Sequence, residues 1–421
     1  MTVLFIDIGT TNIKYLLMEG QQEIFRGSDS VNMMFKDGFH VQSPQMILSD
    51  IIRQIHHMTA LYGQIEIISL SVPMHTLIYQ DQLLIWSDNR AYEWVESFKL
   101  TSNSERFYHM TGTPIHPMSP FAKIGYLKQQ GLIKNEDVII GLKEYILKYF
   151  TGQYYLDYST ASTTGLFDLH QLTWSQEICD TLDISINKLA ELVDTHEKIH
   201  ILPEVINELN LATNAKFHIG ACDGCLASYA TLQKYGDNHV MTMGTSGAVR
   251  SIVDTPYFTK DGSSFCYYLT NNHWVIGGPT NNGGNVIQWW SQIIYNDSNE
   301  IYSHLDEIYK HSCIHENHIS MQPFLNGERA PYWDILLTGS FSNLKQTHTR
   351  NDLSFAVIRG VLENLHNIAI SIGVEGPIRV NGGVFRNSTM RKILSDIRQD
   401  DVFLAEKCEP VDGLRYLMEN E

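Results

Sequence analysis

The chain has 421 residues, 43% of them hydrophobic and 18% charged, with a formal net charge of −17. That length allows two domains with a core each, and the balance of apolar to charged residues excludes a disordered chain. The acidity excludes a general nucleic-acid surface, so a bound polyanion must be held by local devices: backbone N–H groups, Mg²⁺ and single basic side chains.

The run Thr2-Val3-Leu4-Phe5-Ile6-Asp7-Ile8 reads as a strand. It breaks at Gly9-Thr10-Thr11 and resumes as Ile13-Lys14-Tyr15-Leu16-Leu17-Met18, so residues 1–18 are expected to form a β-hairpin. Gly9 lets backbone approach a ligand, and Thr10 and Thr11 offer hydroxyls and N–H groups suited to phosphate oxygens. Asp7 can meet a metal ion or its water. A third strand is expected over Gln21–Gly27, and a helix over Gln45–Leu61 with Met46, Ile47, Ile51, Ile55 and Met58 on one side.

Ile65–Val72 is a buried strand that delivers Pro73-Met74-His75-Thr76-Leu77 to its C-terminal end, where α/β sheets commonly hold ligands. A short hairpin around Asp81-Gln82 precedes Trp86-Ser87-Asp88-Asn89-Arg90. Met74, His75, Trp86, Asp88 and Arg90 together supply an aromatic face, donors, acceptors and one cation, which suits a polyol; Arg90 would suit a carboxylate. Singly, a Trp is usually core and an Asp–Arg pair at this spacing is usually a surface pair.

The proline-rich loop Gly112–Pro120 is followed by helices expected over Phe121–Gln130 and from Gly141 to Thr151-Gly152. Asp157–Ser162 reads as a site wall or helix cap, and Trp174–Cys179 and Ile186–Val193 as helices. A domain boundary is expected near Phe217, dividing the chain into 1–216 and 217–421. Asp223, in Gly220-Ala221-Cys222-Asp223-Gly224, sits past a strand at a helix start. It reads either as an N-cap or as a general base for a substrate hydroxyl.

His239–Met243, Gly244-Thr245-Ser246-Gly247 and the strand after it repeat the plan of the opening hairpin, which suggests a duplicated fold. A helix over Leu353–Ile368 and a strand ending at Gly382-Gly383 follow, so both halves mix strands and helices in α/β fashion. Two glycine–hydroxyl tips can grip a polyphosphate from opposite sides, with a metal balancing charge. Glu328-Arg329 reads as a structural ion pair near the cleft. Cys222 and Cys225 read as small core residues rather than zinc ligands, and His311, Cys313, His315 and His318 lack known zinc spacings. No apolar run is long enough to span a bilayer and no secretory leader is visible; six cysteines without regular spacing fit reduced thiols. The protein is expected in the cytoplasm, away from membranes and nucleic acid, possibly as a homodimer.

In order, these motifs resemble those of the FGGY carbohydrate kinases, within the actin-like, ribonuclease H-like ATPases. Asp7-Ile8-Gly9-Thr10-Thr11 resembles the first phosphate loop, Gly244-Thr245-Ser246-Gly247 the second, and Gly382-Gly383-Val384-Phe385-Arg386-Asn387 the adenosine segment. The resemblance implies a two-domain α/β fold with a cleft, Asp223 as catalytic base, and ATP and Mg²⁺ as cofactors. Gly9, Thr10, Thr11, Gly244, Thr245 and Ser246 would bind the ATP phosphates. Gly382, Gly383 and Asn387 would bind adenosine, and Asp7 the metal, through water. Within the family, Pro73–Leu77, Trp86–Ala91, Thr111–Pro120, Asn272–Gly284 and Gly327–Pro331 are similar to gluconate kinases. This implies a small sugar acid as substrate, with a ketopentose such as xylulose or ribulose, or a catalytically weak sugar- or nucleotide-binding homologue, as alternatives. At the far end, Glu409-Pro410-Val411-Asp412-Gly413-Leu414 departs from the family's Glu-x-x-x-x-Gly-Ala helix. Pro410 and Asp412 stand where small residues are usual and the chain stops soon after, so impaired closure of a shortened second domain is expected.

Overall fold

The computed structural model describes residues 1–36, 39–314 and 318–420. Its frame is two six-stranded sheets built to one plan. In the first, Thr2–Ile8, Asn12–Glu19 and Gln22–Ser30 form an antiparallel meander. Ile67–Ser71 lies parallel on the other side of Thr2–Ile8, Lys216–His218 lies parallel to that, and Lys198–His200 closes the edge. In the second, His239–Met243, Gly247–Val253 and His273–Thr280 form the meander. Ile378–Asn381 and Val402–Leu404 add the parallel strands, and Phe265–Thr270 pairs outside His273–Thr280. The shared order and directions establish the duplication that the two similar hairpins suggested.

The opening strand carries no alternation of apolar and polar residues because both of its faces are covered: every residue from Val3 to Ile8 is buried. On one face Leu4, Ile6 and Ile8 pack with Ile47, Ile51, Ile55 and Met58 of the helix Pro44–Tyr62. Ser43 caps that helix by accepting the Met46 N–H at 3.2 Å, and Gly63 ends it. Met46, expected on the apolar side, is 47% exposed. The buried four are spaced by three and four residues, and Met46 falls outside their stripe. On the other face Val3, Phe5, Leu16 and Met18 pack with the helices Asp223–Tyr235 and Pro410–Glu419. The second sheet folds around Arg350–Ser371.

Two expectations change. The boundary at 216/217 cuts a strand of the first sheet, since Lys216–His218 pairs with Ile67–Ser71; that parallel pairing completes the first domain before the chain crosses. Ile186–Val193 is not one helix. It is a single 3₁₀ turn, Ile186–Lys188, followed by the strand Glu191–Val193 on Tyr155–Asp157, where pairing overrides the helical pattern. The C-terminal segment that departs from the family pattern forms the helix Pro410–Glu419. Pro410 occupies its first turn, and the Glu409 and Asp412 side chains form a reciprocal capping box. Gly413 sits where a Cβ would lie 2.2 Å from the Leu226 carbonyl oxygen, so the bare backbone presses onto the Asp223 helix. Asp412 also accepts from Arg26 at 2.8 Å, and Glu409 pairs with Lys14 at 3.0 Å, both on the opening meander. Among the described residues no helix is long and apolar enough to cross a membrane.

Candidate active site

The parallel strands Ile67–Ser71 and Lys216–His218 end side by side, and each delivers a loop to the same place. Val72 bridges Cys222, and the Asp223 N–H donates to the Val72 carbonyl at 3.0 Å. Asp223 thus opens its helix directly beside Met74 and His75. Its Oδ1 accepts from the Gly224 amide at 2.7 Å and from the Met74 amide at 3.3 Å. Burial raises the Asp223 pKa; the buried Arg250 guanidinium beside it pulls the other way. Asp7 lies near enough for the two carboxylates to repel. Burial, then the Asp223 charge, pushes Asp7 up to about 7, against Lys14 and a 2.8 Å hydrogen bond from Ser71.

His75 is held at φ +65°, a left-handed conformation rare for a residue with a Cβ. Its Nδ1 contacts the Thr163 carbonyl at 2.8 Å, so Nδ1 carries the proton and Nε2 is left as an acceptor toward Tyr267. Burial, and then the Lys123 charge, drop its pKa to about 3, so the ring is neutral. The loop is fixed from behind by Lys123. This fully buried ammonium donates to the carbonyls of His75 at 2.9 Å, Ile85 at 2.8 Å and Met118 at 2.7 Å. Those three carbonyls belong to the His75 loop, the strand end before Trp86, and the Gly112–Pro120 loop. One side chain therefore joins three separate segments around the sugar-like wall.

Trp86 lies under the guanidinium of Arg329, 4.3 Å from its ring centre. Asp88 and Arg90 pair with each other: Arg90 Nε lies 2.9 and 3.0 Å from the two Asp88 oxygens, Nη2 lies 2.8 Å from Oδ2, and Arg90 also stacks on Phe39. Arg90 is thus engaged by protein, in a buried pair rather than a surface one. Glu328 and Arg329 do not form the expected ion pair. The Glu328 carboxylate accepts from Thr280 at 2.6 Å, the Asn281 amide at 2.9 Å and Asn364 at 2.8 Å, while Arg329 turns to Trp86.

The two glycine–hydroxyl tips lie at equivalent ends of the two sheets. At the first, the Gly9 amide donates to the Asn12 carbonyl at 2.8 Å and Gln42 holds the Thr10 carbonyl at 2.6 Å, so the Thr10 and Thr11 side chains remain at the tip. At the second, the Gly244 amide donates to the Ser246 carbonyl at 2.9 Å, and Gly284 and Asn285 donate to the carbonyls of Gly244 and Thr245. A 450 Å³ cavity is lined by Gly244, Thr245, Gly284, Tyr302, Gly383 and Asn387, which unites the second tip with the segment after Ile378–Asn381. Gly382 is not in that lining; at φ +103° it sits where a Cβ would lie 2.3 Å from the Met243 carbonyl oxygen. Asn387 caps the next helix through Oδ1. Ser246 lies on the turn but outside the cavity lining.

Sequence reasoning missed Lys123, Arg250, Arg329 and His116 as site residues. A lysine within Phe121-Ala122-Lys123-Ile124 was an available signal, because a charge in an apolar stretch needs partners. The others follow from segments brought together only by folding. Cys222 and Cys225 are buried, as expected of core residues. Of the His311–His318 group, His315 lies outside the described residues, and His311 contacts Asp352 at 3.1 Å. Among the described residues no cluster of three or more His, Cys, Asp or Glu could hold a metal by itself.

Comparison with known proteins gives matches over both halves. Residues 2–229 match the N-terminal domain of the FGGY family of carbohydrate kinases, and residues 239–411 match its C-terminal domain. A gluconokinase from Bacillus subtilis is 32% identical over 97% of this chain and 85% of its own length. Among solved structures, a xylulose kinase and a gluconate kinase, both from Lactobacillus acidophilus, superpose with TM-scores of 0.91 and 0.90 at 29% and 28% identity. Each match covers all of this chain and 89% of the other.

Proposed function

The chain belongs to the FGGY family of carbohydrate kinases, and on that premise we propose that it transfers the γ-phosphoryl group of ATP to the terminal hydroxyl of D-gluconate, giving 6-phosphogluconate. It is a sugar kinase; gluconate is our choice among sugars. The observation that carries this choice is the 32% identity to a gluconokinase over nearly the whole chain. The Arg329 guanidinium over Trp86 is in keeping with an acidic substrate.

Asp223 is the base in this reading. Two amides occupy its Oδ1, which leaves Oδ2 to accept the hydroxyl proton as the oxygen attacks phosphorus. Burial raises the Asp223 pKa, as suits a base, and the Arg250 guanidinium opposes that rise. The Met74 amide ties the base to the sugar loop, so the acceptor and the base are positioned together. Thr10, Thr11, Thr245, Ser246 and the amides of both tips would hold the phosphates, with Gly383 and Asn387 beside adenosine in the cavity. The carboxylates of Asp7 and Asp223 are hard oxygen donors that fit Mg²⁺, and Asp7 would hold it through water. Bound there, the ion would neutralise phosphate charge.

The test is a panel of D-gluconate, D-xylulose, D-ribulose and glycerol with ATP and Mg²⁺ in a coupled ADP assay. Gluconate should have the highest kcat/KM. A higher value for xylulose would overturn the choice in favour of the reading suggested by the xylulose kinase structure. The Asp223→Asn variant should lose about 10²- to 10⁴-fold in kcat while calorimetry still detects gluconate binding. Wild-type turnover in that variant would remove the base from Asp223.

A further inference from the structure

His116 is 2% exposed, yet one of its ring nitrogens has no protein partner. The Met118 amide donates to Nδ1 at 3.2 Å, so Nδ1 is the acceptor and the proton of the neutral ring resides on Nε2. The neutral state is enforced by burial, then by Arg329, Lys99, His75 and Lys123, all cationic or cationic when protonated. The unpartnered atom is therefore an N–H donor. Arg329 supplies a second one. It is 7% exposed, its Nη2 donates to the Thr280 carbonyl at 3.1 Å, and its Nε has no partner. The neighbouring Glu328 carboxylate is occupied elsewhere, and no ion pair to Arg329 is found among the described residues. The turn that carries Arg329 also carries Trp333, whose ring meets the His116 ring edge-on at 5.4 Å. Buried donors left unpaired are costly unless a ligand meets them.

We propose that His116 and Arg329 together bind the carboxylate of the sugar acid, the role sequence analysis gave to Arg90. This rests on the gluconate reading and deepens it. Arg90 lies in a close ion pair with Asp88, whereas Arg329 forms no such pair among the described residues and His116 has a fixed donor. One carboxylate oxygen accepts from His116 Nε2 and the other from the Arg329 fork. A neutral polyol offers the buried His116 and Arg329 donors no anion, so the pair selects for an acid.

The experiment compares wild type with His116→Phe, His116→Gln and Arg329→Met, using D-gluconate as substrate and its neutral counterpart D-glucitol as substrate or competing ligand. His116→Phe keeps an aromatic ring against Trp333 but loses the donor. It should raise the gluconate KM about 10- to 100-fold, with kcat changed little and the ATP KM unchanged. His116→Gln, which restores an N–H, should recover part of that loss. Arg329→Met should raise the gluconate KM at least as much and narrow the preference for gluconate over glucitol. Wild-type gluconate KM in His116→Phe would overturn the assignment. So would an equal weakening of gluconate and glucitol, which would mark a general disturbance of the loop. If Arg329→Met fails to fold, Arg329→Lys, which keeps charge without the fork, takes its place with the same expected direction. Wild-type turnover of gluconate tests the underlying reading separately: its absence sinks that reading, while its presence with unaltered variants sinks only the carboxylate pair.

Discussion

Replacing Lys123 with Met tests whether the sugar loops depend on one buried ammonium. The variant keeps the side chain's length and removes three hydrogen bonds of 2.7–2.9 Å. Each leaves a carbonyl acceptor without its partner, at about 1–3 kcal/mol apiece. Against this, the wild-type protein bears the cost of burying a charge, which draws the Lys123 pKa down to about 7 despite the nearby Asp88. The net loss should be about 3–5 kcal/mol, the range for removing one side of a buried charged interaction. Unfolding entropy of about 2.1 cal/mol/K per residue over 421 residues turns this into a fall in Tm of about 3–6 °C. The sharper readout is kinetic. The three tethered segments carry His75, the approach to Trp86, and the His116 loop, while the glycine–hydroxyl tips proposed to hold ATP belong to other elements. The gluconate KM should therefore rise at saturating ATP, and the ATP KM at saturating gluconate should stay near wild type. Scanning calorimetry and the coupled assay measure both. Equal rises in the two KM values, or a Tm within about 1 °C of wild type with unaltered gluconate KM, would refute the tethering argument.

Two further outcomes follow from charges outside the site. Glu144 is buried in the first turn of the helix Leu142–Thr151, and burial raises its pKa from 4.5 to about 7. The folded protein then holds a proton that the unfolded chain has released, so Glu144 withdraws stability as pH rises from about 4.5 to 7. Glu144→Gln should stabilise by about 3 kcal/mol at pH 8, with the gain vanishing below pH ~4.5; denaturant midpoints at the two pH values check this, and a gain independent of pH would contradict it. Arg26→Met should cost about 1–2 kcal/mol through the half-buried pair with Asp412. Added salt should shrink the difference from wild type, as urea unfolding at low and high ionic strength will report.

Much of the fold was legible because local chemistry and tertiary demand agree in it. Thr2–Ile8 is almost wholly apolar since both its faces are covered, and Gly9 and Gly244 each mark the tip between two antiparallel strands. The duplicated sheets announce themselves in two hairpins of the same design. What escaped was set by meetings between distant segments. Arg329 looked like half of a Glu328–Arg329 pair because adjacent charges in a sequence usually share solvent; folding gave the Glu328 carboxylate five hydrogen-bonding neighbours, the Arg329 backbone amide among them, and sent the guanidinium to Trp86. Arg90 looked available because nothing in its spacing from Asp88 reveals that both become buried. His116 could not be distinguished from a loop histidine until the Met118 amide defined its tautomer. The boundary near Phe217 was misjudged for a related reason: a parallel strand's partner can lie 149 residues back, as Ile68 does for Phe217.

The helix Pro410–Glu419 gives the order of synthesis a structural meaning. Val411, Leu414 and Leu417 join Val3, Phe5, Leu16 and Met18 in a single core. Val3, Phe5, Leu16 and Met18 therefore wait for residues as distant in sequence as Leu417 before that face of their sheet is fully covered. Until then a nascent chain presents an apolar sheet surface, for which a chaperone or a transient partner is the natural cover. The half carrying the first glycine–hydroxyl tip is consequently not a unit that could be borrowed whole by gene fusion or recombination. Its boundary in sequence and its boundary in hydrophobic contact are different places, and exchange between related kinases would have to carry both ends of the chain together.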